Sequence, residues 1–240
     1  MILNLSHLSS SGRKMNHKLP PATVQLLAFP AATLFDRIVA KDKILQQSRA
    51  STVIKKLLQQ QIEKIRCTHE LTEDKLNLKA SQAVPKILII QLTLKTDTID
   101  SRILATIDKA FGVPVIFELL HHQQCAYAAS YRRRSLIDSS QWVFSEYFIT
   151  DWVKQDNPTQ PMPVALSLES LYQQLLGLFL SLAGNGSLEE CIETICQIRK
   201  LEKEAEKLQS RIKKEKQFNR KVELNRQLRS IMTEIEQLTQ

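Results

Sequence analysis

The sequence predicts an α+β fold: an N-terminal domain of helices and a mixed sheet, followed by a C-terminal helical arm with coiled-coil character. Three observations predict it. A β-branched run, Lys86–Leu94, is followed almost at once by a sharply amphipathic stretch, Thr98–Phe111. From Ser187 to Gln240 there is neither Gly nor Pro, and apolar residues recur three and four apart. Glycine is scarce, 5 of 240 residues, which favours helix over tight turns and Gly-rich phosphate loops.

Residues 1–18 read as a disordered polar leader, and translation is expected to start at Met15, because 1–14 lack periodicity. Residues 19–154 form the expected α+β domain, 155–163 a Pro-containing polar linker and 164–240 the arm. Thr33–Gln47 reads as a short helix and loop. Ser51 can cap a helix running to about Arg66, with Val53, Ile54, Leu57, Leu58, Ile62 and Ile65 on one face. Cys67–Leu71 and Leu76–Leu78 read as short extended pieces. The unbroken apolar start of Lys86–Leu94 predicts a central strand covered on both faces. Thr98–Phe111 is a helix, with Ile99, Ile103, Leu104, Ile107, Ala110 and Phe111 as its stripe, stopped by Gly112 and Pro114. Val113–Leu120 is the next strand, Cys125–Tyr131 its hairpin partner, and the aromatic run Gln141–Phe148 a further strand. Leu166–Ala183 is an apolar helix ended by Gly184-Asn185-Gly186.

The arm carries two apolar stripes: Ile198, Leu201, Ala205, Leu208 and Ile212, then Leu224, Leu228, Ile231, Ile235 and Leu238. They do not share one heptad frame. Between them Lys213–Glu223 holds only Phe218 and Val222 as large apolar residues. Either the helix packs differently along its length or it bends back, and the lack of a turn residue favours one continuous helix. Ile198, Leu201, Leu208, Ile212, Leu224, Leu228, Ile231 and Ile235 are therefore candidate oligomerisation residues. The alternative is a stripe folded onto Leu171–Leu182 of the same chain.

Charge is concentrated in the same segment. The chain has a formal net charge of +8, and residues 199–229 contain 12 Lys/Arg against 5 Asp/Glu, a balance of +7. A polyanion can be attracted by such an arm. The densest part, Lys213, Lys214, Lys216, Arg220 and Lys221, has only Glu215 for company, and these are candidate nucleic-acid contacts. On one continuous helix they cannot share a face, so they are expected to clasp phosphates without reading bases. A second candidate is Arg132, Arg133 and Arg134 beside Tyr131, Trp142, Phe144, Tyr147, Phe148 and Trp152, since cations beside exposed aromatics grip phosphates and stack bases. In the simpler and favoured reading the aromatics point into the core and the arginines sit at a hairpin end.

Several chemistries find no residues. Nucleotide-binding glycine loops, the G-x-S-x-G elbow and zinc-type His/Cys spacings are absent from the sequence. Cys67, Cys125, Cys191 and Cys196 form no C-x-x-C pair, so free thiols in a reducing cytoplasm are expected, with no metal and no cofactor. No apolar run reaches the about 20 residues of a membrane span, and Met1–Lys14 places its charges after its apolar residues, the reverse of a signal peptide. A metal-dependent nuclease needs an acid on one strand and an acid two residues before a lysine on the next. Lys95 closes the strand Ile87–Leu94, but Thr93 stands where that acid belongs, and Glu118 has no lysine two residues on.

Leu19–Thr23, Ile99–Val115, Trp142–Trp152 and Glu215–Asn225 together resemble an uncharacterised bacterial family of unknown function, over roughly Leu19 to Gln240. The resemblance implies a genomic setting beside DNA methyltransferases and helicases of restriction or phage-defence clusters. It implies no catalytic residues. Members often carry a tryptophan and a lysine around 67–71, where this chain has Cys67 and Glu70. The expected function is a non-catalytic accessory or adaptor protein whose arm binds itself, another protein, or DNA or RNA, and no membrane. The alternatives are an unrecognised or degenerate nuclease-like enzyme and a purely structural coiled-coil protein.

Overall fold

The computed structural model describes residues 25–134, 142–180 and 188–239. The expected leader, the proposed start at Met15 and the Gly184–Gly186 stop lie outside them. In chain order the elements are β1 (Leu26–Ala28), a 3-10 turn, β2 (Leu34–Ile38), α1 (Lys41–Ser48), α2 (Thr52–Gln61), β3 (Ile62–Leu71), α3 (Glu73–Leu76), β4 (Ile87–Leu94), α4 (Ser101–Phe111) and β5 (Val115–His121). There follow β6 (Gln124–Ala129), β7 (Arg132–Arg134), β8 (Trp142–Phe144), β9 (Phe148–Ile149), β10 (Val153–Lys154), β11 (Thr159–Pro161), α5 (Leu168–Leu180), α6 (Leu188–Lys214) and α7 (Phe218–Thr239).

The main sheet runs β2-β3-β4-β5-β6, with β9 and β10 both on the far side of β6. Every neighbouring pair is antiparallel except β4 and β5, which α4 joins as a crossover. The expected central strand is β4, and its side chains are buried on both faces. Ile87 and Ile89 meet α5 and β1, whereas Leu88, Ile90 and Leu92 meet α1, α2 and α4. The helix α4 begins at Asp100, whose carboxylate accepts the Arg102 N–H at 2.9 Å, and ends at Gly112 in the left-handed region (φ 68°).

The helix expected over Ser51–Arg66 is divided. Ser51 does cap α2, accepting the Ile54 N–H at 3.5 Å, but from Ile62 the chain is strand β3. No glycine marks the break because two lysines replace the usual C-terminal cap. Lys41 Nζ donates to the Ile62 carbonyl at 2.6 Å and Lys95 Nζ to the Gln59 carbonyl at 2.8 Å. Ile62 and Ile65 thus reach the core from a strand, where β-branched side chains fit well. The aromatic run Gln141–Phe148 is likewise not one strand but the two short strands β8 and β9.

Residues 155–163, expected as a linker, include β11, which pairs in parallel with β1 and completes the cover of one sheet face. Expected in the arm, α5 instead lies on that face. Leu168, Leu171, Tyr172, Leu175 and Leu176 are buried on the sheet, and the Phe179 ring stacks on Tyr127 with centroids 5.0 Å apart. Leu175→Ala should therefore destabilise the whole domain by about 2–5 kcal/mol, as for a fully buried leucine. A lower urea midpoint for the entire unfolding transition checks this.

Candidate nucleic-acid interface

The arm folds back on itself. The helix expected to be continuous breaks at Glu215–Gln217, and α7 returns along α6. The turn contains neither Gly nor Pro, and the Glu215 side chain folds back onto its backbone. Its Oε1 accepts the N–H groups of Lys216 and Gln217, each at 2.9 Å, and these bonds hold its carboxyl below the usual range. Reversal also resolves the phase mismatch between the stripes, since each can face the other without a shared heptad. Ile198, Ala205 and Leu208 of α6 and Leu224 and Ile235 of α7 are buried. Leu201, Ile212, Leu228 and Ile231 are half-buried, and Gln197 Nε2 reaches Glu234 Oε1 at 3.4 Å across the pair. The candidate oligomerisation residues are therefore engaged within one chain.

The candidate cations lie at the fold-back. Lys213, Lys214, Lys216, Arg220 and Lys221 are all exposed and surround one three-residue turn. The expectation that they cannot share a face was made for one continuous helix, whereas here two stand at the end of α6, one in the turn and two at the start of α7. A further row escaped the sequence reading: Lys200, Lys203, Lys207, Arg211 and Lys214 stand three and four apart on α6, all exposed. Lys200, Lys203, Lys207 and Arg211, with Glu204 and Leu208, line a shallow groove of about 450 Å³. The three-and-four spacing of these cations is itself a sequence signal, interleaved with the apolar stripe of the same helix.

The second cationic candidate is divided. Arg132 is buried, turned inward so that Nη2 donates to the Gly112 carbonyl at 3.1 Å, with Nη1 4.0 Å from Asp108. It is withdrawn from the surface that a phosphate could reach. The side chains of Arg133, Arg134, Trp142 and Phe144 lie outside the described residues. Tyr147 and Phe148 point into the body, as the simpler reading expected.

Those inward residues tie the arm to the sheet. Tyr147 Oη donates to Asp108 Oδ2 at 2.9 Å, Ser130 Oγ lies 3.4 Å from the same oxygen, and Tyr172 Oη donates to the Ser130 carbonyl at 2.6 Å. From α6, Arg199 donates to the Tyr147 carbonyl at 3.0 Å and lies over the Phe148 ring, while Lys203 bonds Glu146 at 2.7 Å. Tyr131 Oη donates to Glu189 at the start of α6. Burial pushes the Asp108 carboxyl up to about 6, against the opposing pull of Tyr147, Arg132 and Ser130. The base of the hairpin is fixed, and its far end, some eleven residues or about 17 Å beyond Lys203, projects.

A polar row also crosses the sheet. Gln91 Nε2 donates to Glu118 Oε2 at 2.9 Å, and Tyr127 Oη bonds the same carboxylate while accepting the Leu27 N–H at 2.9 Å. Burial raises the Glu118 carboxyl above its ordinary value, opposed by those two bonds. The row joins β4, β5, β6 and β1 and is fully accounted for as structure. Among the described residues no group of three or more His, Cys, Asp and Glu is placed to hold a metal ion, and all four thiols are free. No described helix is long and apolar enough to cross a membrane.

The chain belongs to the family described as a domain of unknown function (DUF4391), whose model matches residues 27–235. Neither a curated protein nor a solved structure matches it. The match runs from β1 through most of α7, so sheet and hairpin are parts of one family unit.

Asp108 yields a pH prediction. Its folded pKa of about 6 lies above the unfolded value of 3.8, so the stability it contributes is full below about pH 4 and is lost as pH rises through about 6. Asn mimics the neutral carboxyl beside Arg132, Tyr147 and Tyr172. Between about pH 4 and pH 7 the stability of wild type relative to Asp108→Asn should fall by up to about 3 kcal/mol, read from urea midpoints.

Proposed function

We propose that this chain is a non-catalytic accessory protein that holds nucleic acid through the basic end of its helical hairpin, in a DNA restriction or phage-defence setting. The observation that carries the reading is the turn itself. Lys213, Lys214, Lys216, Arg220 and Lys221 are exposed around it, and the one acid among them, Glu215, is hydrogen-bonded to the turn's own backbone N–H groups. Phosphate contacts of this kind hold a polyanion without reading its sequence.

The remaining features fit that role. The hairpin's base is fastened through Arg199, Lys203 and Tyr131, so a bound strand is held in a set orientation relative to the sheet. The genomic setting implied by the resemblance, beside methyltransferases and helicases, supports DNA as the polyanion and a larger enzyme as the partner. Free thiols support a cytoplasmic location.

In a fluorescence-anisotropy titration the wild type should bind labelled DNA at low salt, and the affinity should fall steeply as salt rises. A variant with Lys213, Lys214, Lys216, Arg220 and Lys221 all changed to Gln should lose about 100-fold or more in affinity at low salt with its helical circular dichroism unchanged. Equal binding by the variant, or no binding by the wild type, contradicts the reading.

A further inference from the structure

We infer that the nucleic acid held by the hairpin is single-stranded, with Phe218 as the platform for an unpaired base; this rests on the reading above. Phe218 opens α7 and is 78% exposed. Every other phenylalanine, tyrosine or tryptophan whose side chain is described is buried or half-buried. Leu224, Leu228, Ile231 and Ile235 take the side of α7 that meets α6, so Phe218 lies on the other side, away from any core.

The same outer face continues at helical spacing with Val222, which is 52% exposed, and then with the exposed Arg226 and Arg229. One face of α7 thus presents an aromatic ring, an apolar neighbour one turn on, and two guanidinium groups beyond. Lys214, Lys216, Arg220 and Lys221 flank the ring in sequence and are exposed.

An aromatic beside a cationic track suits single strands. Every base offers a π-face once unstacked, whereas a duplex keeps those faces inside and offers the ring only sugar and phosphate. The charge selects a polyanion over an apolar protein surface, since the acids nearest Phe218 in sequence are Glu215, bonded to the turn backbone, and Glu223. The rival account is a Phe–Val pair one turn apart that only stabilises the start of α7. It predicts a small loss of stability when the ring is removed and no change in the preference between single strand and duplex, and the test separates the two.

The test uses the full chain with a short labelled oligothymidylate and a duplex of equal length. The wild type should prefer the oligothymidylate. Phe218→Ala should weaken that binding about tenfold, leaving duplex affinity and circular dichroism unchanged. Phe218→Trp should retain binding, with its indole fluorescence quenched by the bound strand. Tighter duplex binding, or unchanged oligothymidylate affinity in Phe218→Ala, overturns the inference while leaving nucleic-acid binding intact. Equal weakening on both nucleic acids with lost helicity makes Phe218 a helix contact and also overturns it. If the wild type binds neither at low salt, the underlying reading falls and takes this inference with it.

Discussion

The strands β4 and β5 carry large apolar side chains on both faces, so the sheet needs two separate covers before any of it is stable. Ile90, Phe117 and Leu119 are met by α1, α2 and α4, which lie close by in sequence. Ile87, Ile89 and Ile116 have only Leu71, Val84 and the short segment between them nearby in sequence. The rest of their cover comes from far away, β1 from the start and α5 from beyond residue 158. That long return leaves the chain at the sheet's margin, near Phe148 and Tyr131, where α6 begins and is fastened. The position of the hairpin follows from the second cover.

Within the hairpin, one break serves two physical needs. The apolar stripes of α6 and α7 are out of phase, and a straight helix would leave both in water, at a cost of roughly 1.5–3 kcal/mol for each exposed Leu or Ile. Reversal at Glu215–Gln217 lets each stripe bury the other. Lys213–Lys221, with little apolar content of its own, is the natural segment to remain at the solvated end. Like charges crowded there repel one another, and a bound polyanion relieves that repulsion.

Much of this was legible in the sequence where the signals were local. The Ile103–Ile107 stripe and Gly112 specify α4, although its start was expected at Thr98 and lies at Ser101 behind the Asp100 cap, and the unbroken apolar start of β4 marks a central strand. The boundary at Gln61 was not legible, because the cap is supplied by Lys41 and Lys95, twenty or more residues away. Glycine scarcity also misled: Arg49, Asn77 and His122 adopt left-handed backbone angles and make turns that a glycine count does not reveal. At the site, the five cations belong by sequence to one continuous helix, whereas in the fold they flank the break between α6 and α7. That break is marked by no Gly or Pro, and its only local feature is Glu215 bonded to the two backbone N–H groups that follow it. Arg132 was misplaced because its partners, Gly112 and Asp108, are distant in sequence.

The central claim, that the arm is a hairpin presenting one basic end, is tested most directly by a distance. Spin labels at positions 197 and 234, with Cys191 and Cys196 changed to Ser, report it by pulsed electron paramagnetic resonance. The side chains at those positions are hydrogen-bonded across α6 and α7. The hairpin predicts a narrow label separation of about 10–20 Å, as for adjacent packed helices. A separation near 55 Å, the length of about 37 residues of continuous helix, contradicts it.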